Sequence, residues 1–534
     1  MTHKITLADI LPHLPDHQLH FTGDPAAITI AHVTDDSREV RENTFFVALT
    51  GQSFDGHRFF NTAMEQGAVA LMGTASPGDL PNELPNGIPY IQVVDSRVAL
   101  AWACAACHGF PSREMTVIGI TGTDGKTTTT TILEAILIAA TNDEVHPNGQ
   151  VGVITTIGAR ICGDEQDTGF HVTTPTAPHV QRFLAQMRDG GCQYAIVEST
   201  SHGLAQARVA AVEYDIAAVT NITHEHINDH GSRVAYVDAK AELFRMLGSQ
   251  NETRCAILNL DDTASRNTGY GGSYEPLVAA LHESIPRRSY SLTDEVDPGC
   301  GSPDVWASDM VYGPDQTRFQ LHWWNGSFAM ETQLIGDFNI ANILCAATVS
   351  LSLGIDPQAI QQGVANLSGV LGRMERIDEG QPFLAIVDFA HSPVSLEQAL
   401  LTLRRLMDTR GTESGRLISV FGSAGLRDKA KRGLMGRASG RLADFTIITA
   451  EDPRTEDLAV INQEIAAGVQ EFASDDRFMI VPDRTEAIQT AINMAKENDV
   501  VGIFGKGHER SMCFGTTEYP WSDQDAVREA LRNL

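Results

Sequence analysis

The sequence predicts an α/β protein of three domains: a smaller N-terminal α/β unit, a central parallel sheet of the P-loop type, and a C-terminal doubly wound, Rossmann-like sheet. Three observations carry this. The β-branched run Met115-Thr116-Val117-Ile118 leads through Gly119–Lys126 into the apolar segment Ile132–Ala140, which reads as strand, glycine-rich turn and helix. Short apolar runs then alternate with helix-length segments and end in polar or charged residues, and the pattern restarts near residue 369. The 534 residues suit three domains at roughly 100–200 residues each. The expected divisions are 1–110, 111–368 and 369–534.

The turn is the most informative stretch. Gly122 and Gly125 let backbone N–H groups close around phosphate oxygens where a side chain would intrude. Lys126 supplies a point charge for the outer phosphates, and the Thr127 hydroxyl suits Mg²⁺. Thr123, Asp124 and Thr128 complete the nucleotide-binding segment. The strict GxxxxGK[ST] spacing is missing, because Ile120 stands five before Gly125. A tight turn before a helix is the bland alternative; a bound nucleoside triphosphate is the expected one.

Composition narrows the partners. Acidic residues outnumber basic ones 68 to 39, a formal charge of −29, which argues against nucleic acid or an anionic membrane surface. No apolar run approaches the ~20 residues of a membrane span, and the start Met1–Thr6 lacks a signal-peptide core, so a cytoplasmic protein is expected. A monomer is the expected state. Eight scattered cysteines include one CxxC, Cys104 and Cys107, in an alanine-rich helical segment with no second pair at zinc spacing. They read as buried free thiols.

In order along the chain, residues 1–110 contain Thr34–Arg38, the strand-like Thr44–Leu49 and Gly51–His57, which suit ligand binding and turn chemistry equally. In the central part, Tyr194–Val197 ends in Glu198-Ser199-Thr200-Ser201-His202, and Ile216–Thr220 ends in Asn221-Ile222-Thr223-His224-Glu225-His226. Ligands collect at carboxyl ends of strands in open α/β sheets, so Glu198 and His226 are candidate metal partners of Thr127; a capping carboxylate and a satisfied histidine compete. His224–His230 is not HExxH, because Asn228 occupies the second histidine position. Lys240 falls on the apolar stripe of the helix Tyr236–Leu247. It either snorkels to water or faces the site, where desolvation and CO₂ uptake would make it a carbamate ligand. Asn339 and Asn342, three apart at the start of an apolar helix, suit adenine recognition or capping.

From residue 369, Phe383–Val387 ends in Asp388, Leu417–Phe421 runs into Gly422–Asp428, Phe445–Thr449 leads to Glu451–Arg454, and Asp499–Phe504 leads to Gly505–Glu509. Charged residues again gather just after strands.

Together these stretches resemble the Mur ligases, ATP-dependent amide-forming enzymes of peptidoglycan synthesis, over nearly the whole chain. The most diagnostic are GTDGKTTTT, TTPTAP, ESTSHGLAQARV, AYVDAKAELF, GDFNIAN, GRMERID, VDFAHSP, EDPRTED and GKGHE. The likeness is strongest to the members that add the third, usually dibasic, amino acid to UDP-N-acetylmuramoyl-L-alanyl-D-glutamate. The resemblance implies that Ser37 and His57 contact the uridine diphosphate, and that Thr173, Thr174, Ser201, Gln206 and Arg208 hold the muramoyl dipeptide. It implies Mg²⁺ on Thr127, Glu198 and His226, with carbamylated Lys240 as a further ligand. Asn339, Asn342, Arg373 and Asp388 fall on the ATP side, and Arg427, Asp452, Arg454, Gly505 and Glu509 in the pocket for the incoming amino acid. Lys126, Lys240, His226 and Glu198 are the implied catalytic groups.

This chain departs from the family pattern at three places. Glu225-His226 stands for Asp-His, Glu451-Asp452-Pro453-Arg454 stands for Asp-Asn-Pro-Arg, and Arg510–Phe514 is less polar than expected. Arg454 keeps a fork for diaminopimelate's second carboxylate, whereas the charge of Asp452 suits the plain ammonium of lysine or ornithine. meso-Diaminopimelate is the expected substrate. The implied mechanism makes an acyl phosphate from the γ-carboxylate with ATP; the amine then attacks, and domain closure aligns the reactants. A folylpolyglutamate-type ligase and a P-loop regulatory ATPase are the rival readings.

Overall fold

The structure, a computed structural model, describes residues 5–51, 55–80, 87–166, 173–223, 230–248, 254–266, 272–297, 299–313, 316–411 and 415–534. The chain forms two compact units, Met1–Trp306 with Ala341–Gly363, and Ala307–Ile340 with Val364–Leu534.

The first unit holds two sheets. Strands β1 (His17–His20), β2 (His32–Thr34), β3 (Thr44–Val47), β4 (Ala68–Gly73) and β5 (Tyr90–Val93) lie in the order β1-β5-β4-β3-β2, parallel except for β1. The side chains of β3 are buried on both faces, as its unbroken Thr-Phe-Phe-Val demands. The helix Ser96–Cys107 covers one face with small residues; Cys104 is buried there beside the Val33 carbonyl, so the CxxC is part of a core. Among the eight free cysteines, Cys107, Cys162 and Cys300 are only half-buried.

The second sheet is built from β6 (Thr116–Thr121), β7 (Val151–Ile154), β8 (Ala159–Ile161), β9 (Asp164–Gln166), β10 (Tyr194–Glu198), β11 (Ile216–Val219), β12 (Cys255–Asn259) and β13 (Arg287–Ser291). Its order is β13-β12-β11-β6-β10-β7-β8-β9, parallel from β13 to β7 and closed by an antiparallel meander. Ile118 of β6 sits between Ile196 and Ile216, so the central strand is apolar on both faces and its carboxyl end is the natural exit into a site. The helix Lys126–Thr141 starts at that exit and buries Ile132, Leu133, Ile136 and Leu137. β14 (Val305–Tyr312) begins in this unit, its first residues paired with β13.

In the second unit, β15 (Thr317–Trp323) and β16 (Gly326–Thr332) form a hairpin. A six-stranded sheet follows from β17 (Glu375–Ile377), β18 (Leu384–Asp388), β19 (Leu417–Phe421), β20 (Phe445–Ile448), β21 (Phe478–Ile480) and β22 (Val500–Phe504), in the order β17-β18-β22-β19-β20-β21. Only β17 is antiparallel. One core contains Leu396, Leu400, Met435 and Ile461, and the other Ile488, Ala491, Val527 and Leu531, from helices on the two faces: the expected doubly wound arrangement. A hairpin of β23 (Ser511–Phe514) and β24 (Thr517–Pro520) precedes the last helix, Asp523–Arg532. Among the described residues no helix is long and apolar enough to cross a membrane.

Candidate active site

Within the first unit the phosphate loop joins β6 to its helix. Gly122 has φ +148° and Gly125 φ +80°; a Cβ on the first would meet Thr220 Oγ1 at 1.9 Å and on the second Asn342 Oδ1 at 2.3 Å. Both positions therefore require glycine. The loop is tied to the next strand end: Thr123 N donates to the Asn221 carbonyl at 2.7 Å, Asp124 N to Asn221 Oδ1 at 3.1 Å, and Thr220 Oγ1 to the Asp124 carbonyl at 2.6 Å. Lys126 Nζ donates to the Thr123 carbonyl at 2.8 Å, and Thr128 is buried at the helix start.

Behind the loop lies Glu198, only 1% exposed. Thr127 Oγ1 lies 3.1 and 3.0 Å from its two carboxylate oxygens; Thr156 adds its N–H at 3.2 Å and its hydroxyl at 3.1 Å. Thr156 was not foreseen, although it follows the carboxyl end of β7, where the same strand-end logic applies. Thr173 joins through Thr156 at 3.0 Å. Thr174 Oγ1 donates to the Glu198 carbonyl at 2.9 Å, and Arg208 reaches the Thr174 carbonyl at 2.6 Å and Gln206 Oε1 at 2.7 Å. Ser201 Oγ lies 3.1 Å from His230 Nε2. Thr173, Thr174, Ser201, Gln206 and Arg208, the residues expected on the substrate side, thus gather around the strand that carries Glu198. Ser37 and His57 follow the neighbouring strands β2 and β3; His57 is a buried ring, hydrogen-bonded to Asp55 at 2.5 Å and accepting from Ala75 N at 3.3 Å.

Lys240 is 2% exposed and does not snorkel. Its Nζ donates to the Gly122 carbonyl at 2.6 Å and lies 4.7 Å from the centre of the Tyr236 ring, whose hydroxyl meets Thr123 Oγ1 at 3.0 Å. His226 lies outside the described residues. The two asparagines differ: Asn342 Oδ1 accepts from Thr129 Oγ1 at 3.2 Å, against the phosphate loop, whereas Asn339, in the second unit, donates its amide to the Ile335 carbonyl at 2.8 Å.

In the second unit the parallel strands β18, β22, β19 and β20 bring their carboxyl ends to one edge. Asp388 organises its turn by accepting from Met374 N at 2.7 Å and Ala390 N at 2.8 Å. The Arg373 guanidinium lies 4.7 Å from the Phe389 ring, which also packs on His391 and His508. Lys506, fully buried, lies 2.9 Å from Asp452 Oδ1 and 2.5 Å from Glu509 Oε2. Burial pulls its ammonium down, but the two carboxylates outweigh that and hold it above the usual lysine value. Gly505 faces the buried Glu451, whose carboxyl burial raises. Arg454 has φ +52° and donates to the Gly425 carbonyl at 3.3 Å; Arg427 is exposed in the loop after β19. Lys506 was legible as part of GKGHE but not singled out.

Residues 29–108 match the Mur ligase family catalytic domain, 120–350 the Mur ligase middle domain, and 372–507 the Mur ligase glutamate ligase domain. The chain belongs to the Mur ligase family. It is an ATP-dependent, amide-forming ligase of that family. It is 37% identical to the UDP-N-acetylmuramyl-tripeptide synthetase of Roseiflexus sp. RS-1, covering 99% of both chains. To the UDP-N-acetylmuramoyl-L-alanyl-D-glutamate–2,6-diaminopimelate ligase of Geobacillus thermodenitrificans it is 36% identical, covering 98% of this chain and 99% of that one. A solved structure of a ligase of the latter name matches with a TM-score of 0.67 at 28% identity, covering 99% of each chain. The Mur ligase fold expected from the motifs is therefore present from end to end.

Proposed function

We propose that this Mur ligase joins meso-diaminopimelate to the γ-carboxylate of UDP-N-acetylmuramoyl-L-alanyl-D-glutamate, making ADP and phosphate, in cytoplasmic synthesis of peptidoglycan precursor. The observation that carries it is the convergence of Thr127 and Glu198 behind the phosphate loop, with Thr174 bonded to the Glu198 carbonyl and Arg208 to the Thr174 carbonyl. A carboxylate does not exchange its oxygen for an amine unaided; phosphorylation by ATP turns that oxygen into a leaving group. The amine then attacks the acyl phosphate and releases phosphate. In this reading the first unit carries the residues for the acid and phosphates, and the second those for the amino acid. The domain divisions 1–110, 111–368 and 369–534 belong to the same proposal.

The donor set supports Mg²⁺. A hydroxyl and a carboxylate are hard oxygen ligands, and Thr127 and Glu198 already meet within 3.1 Å. Thr127, Glu198 and His226 would hold the ion, which offsets phosphate charge when bound. Lys240, buried and pointed at the loop, suits carbamylation by CO₂, to be read directly as a ¹³C carbamate resonance after labelling with bicarbonate. ATP sits with Asn339, Asn342, Arg373 and Asp388 in this reading; Ser37 and His57 serve the uridine diphosphate, and Arg427, Arg454, Gly505 and Glu509 the amino acid.

Lysine or ornithine was the alternative suggested by Asp452. The pairing of Asp452 with Lys506 weighs against it, because that carboxylate is already matched by a cation. The test offers diaminopimelate, lysine and ornithine in parallel to purified enzyme with ATP and the muramoyl dipeptide. Phosphate release that follows diaminopimelate supports the proposal; release indifferent to both substrates sinks it in favour of a regulatory ATPase.

A further inference from the structure

Arg484 is the first residue of the helix Arg484–Met494, is fully buried, and has no part in the motifs above. Its Nη1 donates to the Ala450 carbonyl at 3.1 Å and its Nη2 to the Phe504 carbonyl at 3.0 Å. Nε and Nη2 also form a fork on Asp523, at 2.8 and 2.7 Å, and Trp521 Nε1 donates to the same carboxylate at 2.8 Å. Ala450 immediately precedes Glu451–Arg454, and Phe504 immediately precedes Gly505–Glu509. Their strands are not neighbours, because β19 lies between β20 and β22. No ladder hydrogen bond therefore links the two loops at their roots, and one planar guanidinium spans them instead.

We propose that Arg484 is a positioning residue for the amino-acid pocket: by gripping the Ala450 and Phe504 carbonyls it sets the separation of the loops that carry Asp452 and Arg454 on one side and Gly505, Lys506 and Glu509 on the other. This rests on the ligase reading above. Arginine suits the task because its donors diverge in a fixed plane, so two carbonyls and a carboxylate are held at one spacing; a lysine ammonium satisfies either direction only by moving. Asp523 neutralises the guanidinium and begins the last helix without touching either loop root. A shift of about 1 Å in a substrate-positioning group costs on the order of a hundredfold in rate, so looseness at the roots is felt at the amine.

The test compares Arg484→Lys with Asp523→Asn in the full-length enzyme. Arg484→Lys is expected to raise the KM for meso-diaminopimelate about tenfold or more, leaving the KM for ATP and for the muramoyl dipeptide within about twofold. Hydrogen exchange at residues 451–454 and 505–509 should quicken in parallel. Asp523→Asn keeps both carbonyl bonds and is expected to lower thermal stability while leaving that KM near wild type. Should Arg484→Lys not fold, the double variant Arg484→Met/Asp523→Leu removes the buried charge pair together and should show the same KM split. An unchanged diaminopimelate KM, an equal rise in all three, or an equal effect of Asp523→Asn overturns the inference. Wild-type phosphate release independent of diamino acid overturns the ligase reading alone, since exchange at the two loops still reports whether Arg484 ties them.

Discussion

Asp452 Oδ1 accepts from Lys506 Nζ at 2.9 Å, and the same oxygen accepts from Cys513 N at 3.0 Å. Glu509 Oε2 lies 2.5 Å from the same ammonium, so a fully buried cation is shared by two carboxylates. In the family pattern an amide stands where Asp452 is. The extra charge is therefore matched by an internal cation, and in the proposed reading Arg454 is left to take the substrate's second carboxylate.

Replacing Asp452 with Asn is expected to leave Lys506 with one carboxylate and make the pocket more positive. A second substrate carboxylate then gains more than a lone ammonium does. The ratio of kcat/KM for diaminopimelate over lysine should rise by about tenfold, roughly 1.4 kcal/mol of discrimination. A ratio that falls would show Asp452 facing the substrate instead.

Lys240→Ala should abolish ligation by on the order of a thousandfold, because the proposed reaction places the buried amine beside the Gly122 carbonyl where phosphoryl charge develops. Circular dichroism and thermal melting should show the fold intact. Added short carboxylic acids are expected to restore part of the rate by entering the space left by the side chain. Full activity without them removes the carbamate from the reading.

Thr127→Val tests the contact between loop and strand end. Glu198 loses one hydroxyl donor and keeps the N–H and hydroxyl of Thr156, and one hydrogen bond to a charged group is worth about 1.5–3 kcal/mol. Melting should drop by a few degrees, kcat by about a hundredfold, and the Mg²⁺ concentration for half-maximal rate should increase. Thr156→Val is the control: it removes a donor to Glu198 but not the helix-start hydroxyl, so its effect should fall mainly on stability.

What could be read from the sequence was local. The strand Thr116–Thr121, the glycines at 122 and 125 and the helix after Lys126 are dictated within some thirty residues, and the ends of β10 and β18 announced Glu198 and Asp388, whereas Thr156 after β7 went unread. What escaped depends on residues distant in sequence. Tyr236 reaches Thr123 across 113 positions, and Lys506 meets Asp452 across 54. Arg484 sits in an unremarkable Pro-Asp-Arg-Thr helix start, and only the order β22-β19-β20 reveals two loop roots that need bridging. The Asn339–Asn342 spacing suggested one shared direction. Instead Asn339 turns back to the Ile335 carbonyl at the helix entrance, while Asn342 lies against the loop.

The second unit is expected to be acid-sensitive because of two histidines packed on Phe389. Burial, with the Arg373 guanidinium nearby, pushes the His508 imidazole down to about 3; burial, with Lys431 nearby, pushes His391 down to about 4. Unfolded, each takes up its proton near 6.5. Below that value the unfolded chain binds more protons than the folded one, so stability is complete above pH ~6.5 and is lost as pH falls toward the folded values. Each histidine contributes a slope of about 1.4 kcal/mol per pH unit over that window. His508 Nδ1 is buried with no hydrogen-bond partner among the described residues, and its ring lies 4.8 Å from Phe389, so a phenyl ring suits the space. His508→Phe is expected to melt close to wild type at pH 7.5 and to lose less stability than wild type between pH 6.5 and 4.5. Denaturant unfolding at several pH values measures it, and parallel stability curves for the two proteins would show that the His508 ring titrates alike in the folded and unfolded states.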